Sequence, residues 1–166
     1  MSGAGGVRVG LGWDSHRLKA GRPLILGGVE FEHAELGLDG HSDADVLTHA
    51  VMDALLGAAG LDDIGVHFPD TDDAYAGADS IALLRGVVAL LRERDLTIAH
   101  VDATVLMERP KLGPRRAAIR SSLAAALGLA AGSVNVKAST GEGLGFVGRL
   151  EGVAALAVAT LVASRG

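Results

Sequence analysis

Val7-Arg8-Val9-Gly10-Leu11-Gly12-Trp13-Asp14-Ser15-His16 opens the informative part of the chain. Val7 to Leu11 reads as a strand. On an extended backbone side chains alternate with period two, so Asp14 and His16 share a face. Such a pair can hold a small cation from one side. A second stretch, His41-Ser42-Asp43-Ala44-Asp45-Val46-Leu47-Thr48-His49, leads into a helix expected over Ser42–Leu56. Ser42 is the expected N-cap, with Asp45 three residues on as a carboxylate form of the capping-box partner. The apolar arc of this helix holds Val46, Leu47, Ala50, Val51, Ala54 and Leu55, and His49 lies at its edge. Asp14, His16 and His49 would leave a tetrahedral metal one open position, the pattern of a catalytic zinc. The competing reading is plainer. With 20 acidic residues and 6 histidines, an Asp-x-His arises by chance, and Asp45 with His49 is an ordinary helical surface pair.

Outward from these stretches, Leu24 to Phe31 reads as a hairpin turning at Gly27-Gly28. Leu61 to Asp73 reads as an Asp-rich loop broken by Gly65 and Pro69. Ser80–Arg94 reads as a helix and Thr97–Met107 as a long strand. Arg109 to Pro114 is a turn, Pro114 starts a helix ending near Leu127, and Gly128 is its expected C-cap. Ser133–Ser139 reads as a strand. Val153–Val162 is apolar at every period and fits helix or strand. Thr140–Gly148 is a glycine-rich loop whose backbone amides, with the hydroxyls of Ser139 and Thr140, could approach phosphate oxygens. It lacks the Gly-Lys-Ser/Thr of a Walker loop, and as an isolated feature it is equally a flexible turn.

The chain has 166 residues, enough for one domain with a real core, and we expect a single domain over 1–166. Its residues are 49% hydrophobic and 3% aromatic, so the core is aliphatic. There is no cysteine, which excludes disulfides and thiolate metal ligands. Val153–Ala163 is too short to span a bilayer, and Met1–Gly6 has no signal-peptide regions and is expected to be a loose terminus. Neither a membrane nor a nucleic acid is an expected partner, since the net charge is −5 and the only basic cluster is Arg115-Arg116. An acidic chain that binds phosphate must reverse its field locally, with cations, aimed amides or placed Lys and Arg.

Four ordered motifs together resemble the 2-C-methyl-D-erythritol 2,4-cyclodiphosphate synthase family, over about Arg8 to Ala163. They are Gly12-Trp13-Asp14-Ser15-His16; His41 to Asp45 with His49; Asp63-Ile64-Gly65-Val66-His67-Phe68-Pro69-Asp70-Thr71-Asp72; and Val134 to Lys137 through Gly145-Phe146 with Gly148-Arg149. The resemblance implies an α+β fold, a mixed sheet backed by helices and assembled as a homotrimer with active sites between subunits. The ambiguous last segment is then a strand. Its apolar character on both faces also suits an assembly better than a small monomer.

The resemblance also implies roles. Zinc would sit on Asp14, His16 and His49, and a second divalent cation, Mg2+ or Mn2+, at Glu142. His41 and Thr140 would be catalytic, stabilising the transition state. Ser15 and Ser42 would join Asp14, His16 and His41 around the substrate. Asp63, Ile64 and Gly65 would meet the ribose, and Phe68, Pro69, Asp70, Thr71 and Asp72 would close over the methylerythritol. Met107, Glu108, Arg109, Pro110, Lys111, Leu112 and Gly113 would hold the cytosine, while Ser139, Thr140, Gly141, Glu142, Phe146 and Arg149 would complete the phosphate side. Arg149 and Glu151 are candidates to line a cavity on the trimer axis, which in this family can hold an isoprenoid diphosphate. A surface salt bridge is the competing reading there.

The implied enzyme is a metal-dependent phosphorus–oxygen lyase of non-mevalonate isoprenoid precursor biosynthesis, in the bacterial cytoplasm, with a plastid stroma the weaker choice. It would convert 4-diphosphocytidyl-2-C-methyl-D-erythritol 2-phosphate to 2-C-methyl-D-erythritol 2,4-cyclodiphosphate and CMP. Gly143 departs from the pattern, standing where a lysine is common, so no cationic role is assigned there. Two alternatives remain open on the residues: a zinc phosphoesterase with Asp63 as base, and a non-catalytic trimer that binds nucleotides or isoprenoids.

Overall fold

The computed structural model describes residues 6–164. The expected loose terminus, apart from Gly6, lies outside the described residues. A single strand, β1 (Arg8–Lys19), runs well past Leu11 and carries Asp14 and His16. Then come β2 (Ile25–Leu26) and β3 (Val29–Glu30), which pair around Gly27-Gly28 as the expected hairpin, and β4 (Gly37–Leu38). They are followed by α1 (Val46–Ala59), α2 (Ile64–His67), α3 (Ser80–Arg92), β5 (Leu96–Leu106), α4 (Arg116–Leu127), β6 (Val134–Ser139), α5 (Gly145–Gly148) and β7 (Gly152–Ala163). The main sheet has the order β4-β1-β7-β5-β6, with β5 and β6 parallel and the other pairs antiparallel. It is a mixed sheet with helices on one face, the expected α+β class.

β7 explains why its sequence was ambiguous. It is central, and its inner face (Val153, Ala155, Ala157, Ala159, Leu161) and outer face (Ala154, Leu156, Val158) are both apolar. The alternation that marks a half-buried strand is therefore hidden. The inner face of β1 shows the opposite device. Gly10 and Gly12 lie against the backbone of α1, where an added methyl would overlap the carbonyl oxygens of Ala54 and Ala50 respectively. The missing side chains let strand and helix touch backbone to backbone. α1 is buried along almost its whole length, including Thr48 and His49, because α3 covers the side that faces away from the sheet.

The helix starts correct the expectation at α1. Asp45 is the N-cap, its side chain accepting from the Thr48 backbone N–H. Ser42 lies outside the helix because Ala44 sits at φ 56°, a left-handed conformation that breaks the helical run. Asp45 is fully buried and holds four donors: the N–H groups of Gly27 (2.9 Å), Gly28 (2.7 Å) and Thr48 (3.0 Å), and the Thr48 hydroxyl (2.8 Å). It thus pins the β2–β3 hairpin to the start of α1. Burial pushes its carboxyl above the usual range despite these donors. The segment read as a loop contains the single turn α2, capped by Asp63. Gly128 terminates α4 in the left-handed conformation, as expected. Among the described residues no helix is long and apolar enough to cross a membrane.

Candidate active site and metal centre

Strand alternation carries the inner face of β1 from Gly10 and Gly12 onward to Asp14 and His16. The close seating of α1 brings His49, next to Ala50, over that end. The three ligand atoms form a near-equilateral triangle. Asp14 Oδ2 is 2.9 Å from His16 Nε2 and 3.0 Å from His49 Nδ1, and the two nitrogens are 3.2 Å apart. Three ligands at metal bonds of about 2.0–2.1 Å in tetrahedral geometry stand roughly 3.3 Å apart, so the triangle is nearly the size of one face of a zinc tetrahedron. The donor set, two imidazoles and a carboxylate, also suits zinc. This is the one group of three or more ligating side chains of that compactness among the described residues.

The electrostatics agree with a cation there. Burial alone would raise the Asp14 carboxyl, but the adjoining His16 and His49 imidazoles outweigh it and hold it at about 2. Burial likewise disfavours a charged His16, and Asp14 beside it reverses this and raises its pKa. The Nδ1–H of His16 donates to the Asp39 carbonyl at 3.0 Å, which leaves Nε2 to face the site. The plain helical-pair reading of His49 fails, since both Asp45 oxygens are taken by other groups and His49 turns to Asp14 instead.

The triangle lies in a cavity of about 310 Å3 that also meets His41, Ser42, Ile64, Gly65, Phe68 and Asp70. His41 Nε2 is buried there with no hydrogen-bond partner among the described residues. Phe68 makes an edge contact with Tyr75, ring centroids 5.4 Å apart, and the two form one wall. Asp53 on α1 accepts from the Ile64 N–H at 2.9 Å and so ties α2, with Gly65, to the floor. Pro69, Thr71 and Asp72 follow on the same loop outside the lining, where Asp72 caps a short turn by accepting from Ala74. Asp63 accepts from Val66 as a helix cap. Ser15 follows the alternation of β1: its side chain projects from the exposed face, opposite to Asp14 and His16.

The remaining expected residues form a second cluster. Met107 N–H donates to the Ser139 carbonyl at 3.0 Å, joining the segment Met107–Gly113 to the glycine loop. The Arg109–Pro110 peptide bond here is cis. Two of the loop amides expected for phosphate are already occupied: Glu108 accepts from Gly141 N–H at 2.8 Å and Gly143 N–H at 3.3 Å. Thr140 and Glu142 are exposed beside them, with Thr140 Oγ1 3.4 Å from Glu142 Oε1. Glu142 is not in the ligand triangle. Asp14 pairs with Ala155, Ala155 with Val105, and Val105 with Ala138, so the two clusters lie at one level of the sheet. Three strand spacings separate them, roughly 14 Å. Phe146, α5 and Arg149 adjoin this second cluster, and Arg149 Nε donates to Glu151 at 2.7 Å.

Sequence reasoning missed Met52, Tyr75 and Leu83, which line the cavity, and Ser80, whose Oγ is 2.8 Å from His49 Nε2. Met52 lies one helical turn beyond His49, a signal present in the spacing. Ser80 lies 31 residues from His49, and nothing local announces it.

The model of the YgbB family matches residues 7–162. A 2-C-methyl-D-erythritol 2,4-cyclodiphosphate synthase of Bordetella petrii is 59% identical over 154 residues, 93% of this chain and 94% of its own length. The solved structure of the bifunctional IspDF from Campylobacter jejuni matches with a TM-score of 0.92 at 42% identity, over 96% of this chain and 43% of that one. The CDP complex of IspF from Plasmodium falciparum matches with a TM-score of 0.85 at 30% identity, over 98% of this chain and 99% of that one. Fold, site geometry and these likenesses agree: the chain belongs to the YgbB family, that of the 2-C-methyl-D-erythritol 2,4-cyclodiphosphate synthases of isoprenoid biosynthesis.

Proposed function

We propose that this chain converts 4-diphosphocytidyl-2-C-methyl-D-erythritol 2-phosphate to 2-C-methyl-D-erythritol 2,4-cyclodiphosphate and CMP, at sites completed between the subunits of a homotrimer. The observation that carries the reading is the Asp14–His16–His49 triangle opening into the cavity with His41. The CDP held by the Plasmodium relative supports a cytidine diphosphate-linked substrate.

Two features support shared sites. The ribose and methylerythritol residues lie at one cluster, and the cytosine and phosphate residues lie about 14 Å away across the sheet. The exposed face of the sheet also carries Val9, Leu11, Trp13 and Val158 in the open, with Leu11 directly opposite Val158. A continuous apolar patch of this kind on a sheet suits closure around a rotation axis. Arg149 and Glu151 from each subunit would then converge near that axis, where three guanidinium groups suit an isoprenoid diphosphate.

The nucleophile is an oxygen of the substrate's own 2-phosphate. It attacks the β-phosphorus, the bond from that phosphorus to the oxygen bridging to the α-phosphate breaks, and CMP leaves with the bond's electrons. The attacking group is already an anion, so no strong base is needed. Zinc on Asp14, His16 and His49, with Mg2+ or Mn2+ at Glu142, would supply positive charge against the clustered oxyanions. His41 offers its unpartnered Nε2 to a phosphate oxygen, and Ser42 and Thr140 offer hydroxyls. Asp63 to Gly65 fix the ribose, Met107 to Gly113 the base, and Phe68 to Asp72 cover the methylerythritol. Holding both ends brings the 2-phosphate in line with the β-phosphorus, which removes much of the entropic part of the barrier.

Running the reaction in oxygen-18 water with phosphorus NMR detection tests this reading. Equal amounts of CMP and unlabelled cyclic diphosphate are expected. Label in a linear methylerythritol phosphate product would make water the nucleophile and the protein a hydrolase. In the same assay Glu142→Gln should slow cyclisation strongly while zinc content stays unchanged.

A further inference from the structure

We infer that Ser80, backed by Asp43, is a positioning residue that decides which nitrogen of His49 faces the metal centre. This rests on the zinc reading above.

His49 is held from both sides of its ring. Nδ1 faces the site, 3.0 Å from Asp14 Oδ2, and Nε2 faces Ser80 Oγ at 2.8 Å. A hydroxyl has one proton, and Ser80 spends it on Asp43, whose Oδ1 accepts it in a short hydrogen bond. The other oxygen of Asp43 accepts the backbone N–H of Ser80 at 3.0 Å, and Oδ1 also accepts the Asp45 N–H at 3.1 Å. A carboxylate so supplied with donors can only accept. Ser80 Oγ must therefore be the acceptor toward His49, and His49 Nε2 must carry the proton. With Nε2 committed to Ser80, Nδ1, which shares a proton with Asp14 Oδ2 when no metal is bound, is the nitrogen that can give its lone pair to a metal.

One other hydroxyl is near. Ser42 Oγ stands 3.3 Å from His49 Nε2, farther than Ser80, and already accepts the Ala44 N–H at 3.2 Å. Ser80 is fully buried at the first residue of α3, so the contact is fixed by packing and excludes water. The relay joins three parts of the chain, the loop before α1, α1 itself and α3. It gives α3 a part in the chemistry although α3 contributes no metal ligand. His16 is oriented by a simpler device, the Asp39 carbonyl.

The test pairs zinc affinity, measured by competition with a chromophoric chelator, with nitrogen-15 shifts and Nε2–H exchange of the His49 ring in zinc-loaded protein. Wild type should show zinc on Nδ1 alone and a slowly exchanging Nε2–H. Ser80→Ala should weaken zinc binding 10–100-fold and speed Nε2–H exchange, while the zinc-free melting temperature falls by no more than about 5 °C. Asp43→Asn keeps an oxygen for the Ser80 backbone N–H but adds an N–H donor. It should weaken zinc several-fold in the same direction, and it decides the matter if Ser80→Ala does not fold. A purely structural role would lower the melting temperature and leave Nε2–H exchange unmoved. Zinc affinity within twofold of wild type in the folded variants, or zinc on Nε2 in wild type, overturns the relay while leaving the zinc reading intact. A wild-type protein that takes up no zinc overturns both.

Discussion

On one face of β1 stand Gly10, Gly12, Asp14 and His16; on the other stand Val9, Leu11, Trp13 and Ser15. The first face is pressed against α1 and has given up side chains to allow it. The second carries the large apolar groups and leaves them in the open, with Val9 64%, Leu11 65% and Trp13 50% exposed. A monomer would be expected to place these the other way round. The difference separates two jobs. The inner face is completed by the chain itself, with glycines setting the distance from strand to helix and that distance delivering His49 to Asp14 and His16. The outer face leaves its large side chains uncovered by the chain, and it is the surface on which the proposed trimer would close.

The sharpest break of the inner face is His49→Ala. It removes one corner of the triangle without touching the glycine contact. Zinc content by elemental analysis should fall toward zero. Turnover should drop roughly 10^3-fold, the loss of several kcal/mol of charge stabilisation at about 1.4 kcal/mol per tenfold. Light scattering should still find the wild-type assembly. Full zinc occupancy would take His49 out of the metal centre. Gly12→Val tests the packing that places it. The new side chain meets the backbone of Ala50 and Ala54, which cannot rotate away. We expect a loss of roughly 3 kcal/mol and a melting temperature about 10 °C lower. A well-folded Gly12→Val protein with normal zinc affinity would show that strand and helix need not touch.

Leu11→Ala probes the other face. In an isolated chain it should change stability little, since Leu11 is already in water. In a trimer it removes about 2 kcal/mol of burial per subunit. The expected outcome is dissociation at protein concentrations where wild type stays assembled, read by light scattering, with zinc retained. A wild type that is monomeric and active would end the comparison, because the outer face would then need no partner.

The legibility of the two faces differs for physical reasons. Asp14-x-His16 could be read because period two is local, and α4 with its Gly128 stop because caps are local. β1 beyond Leu11 was hidden, since Asp14, Ser15 and His16 break the apolar alternation that marks a strand. The start of α1 was misplaced by the attractive Ser42, because the left-handed Ala44 that delays the helix leaves no trace in composition. Glu108 capping the amides of Gly141 and Gly143, and Ser80 seated between Asp43 and His49, join residues more than thirty positions apart. Contacts of that kind are made by the fold, and one sequence carries no periodic signal for them.

The smallest effect sits at the far edge of the outer face, which turns polar at β5 and β6. Asp102 accepts from Lys137 Nζ at 2.5 Å and from Asn135 Nδ2 at 3.0 Å. The Lys137 ammonium is the main reason its carboxyl lies below the usual 3.8. A carboxyl lowered on folding adds stability above its unfolded pKa and loses it as pH falls through the folded value. The contribution is therefore present at pH 7 and fades below about pH 4. The pair is more than a third exposed, so water and salt screen it, and Asp102→Asn should cost at most about 0.5 kcal/mol at pH 7. Urea unfolding of wild type and variant at pH 7 and pH 3, in zinc-free protein, checks both size and sign: the gap should be small at pH 7 and narrower still at pH 3. A gap of several kcal/mol at pH 7 would mean that Asp102 is desolvated in the assembly. The covered patch would then reach from the apolar strands β1 and β7 across to β5, and the division of the outer face into an apolar half and a solvated half would have to be redrawn.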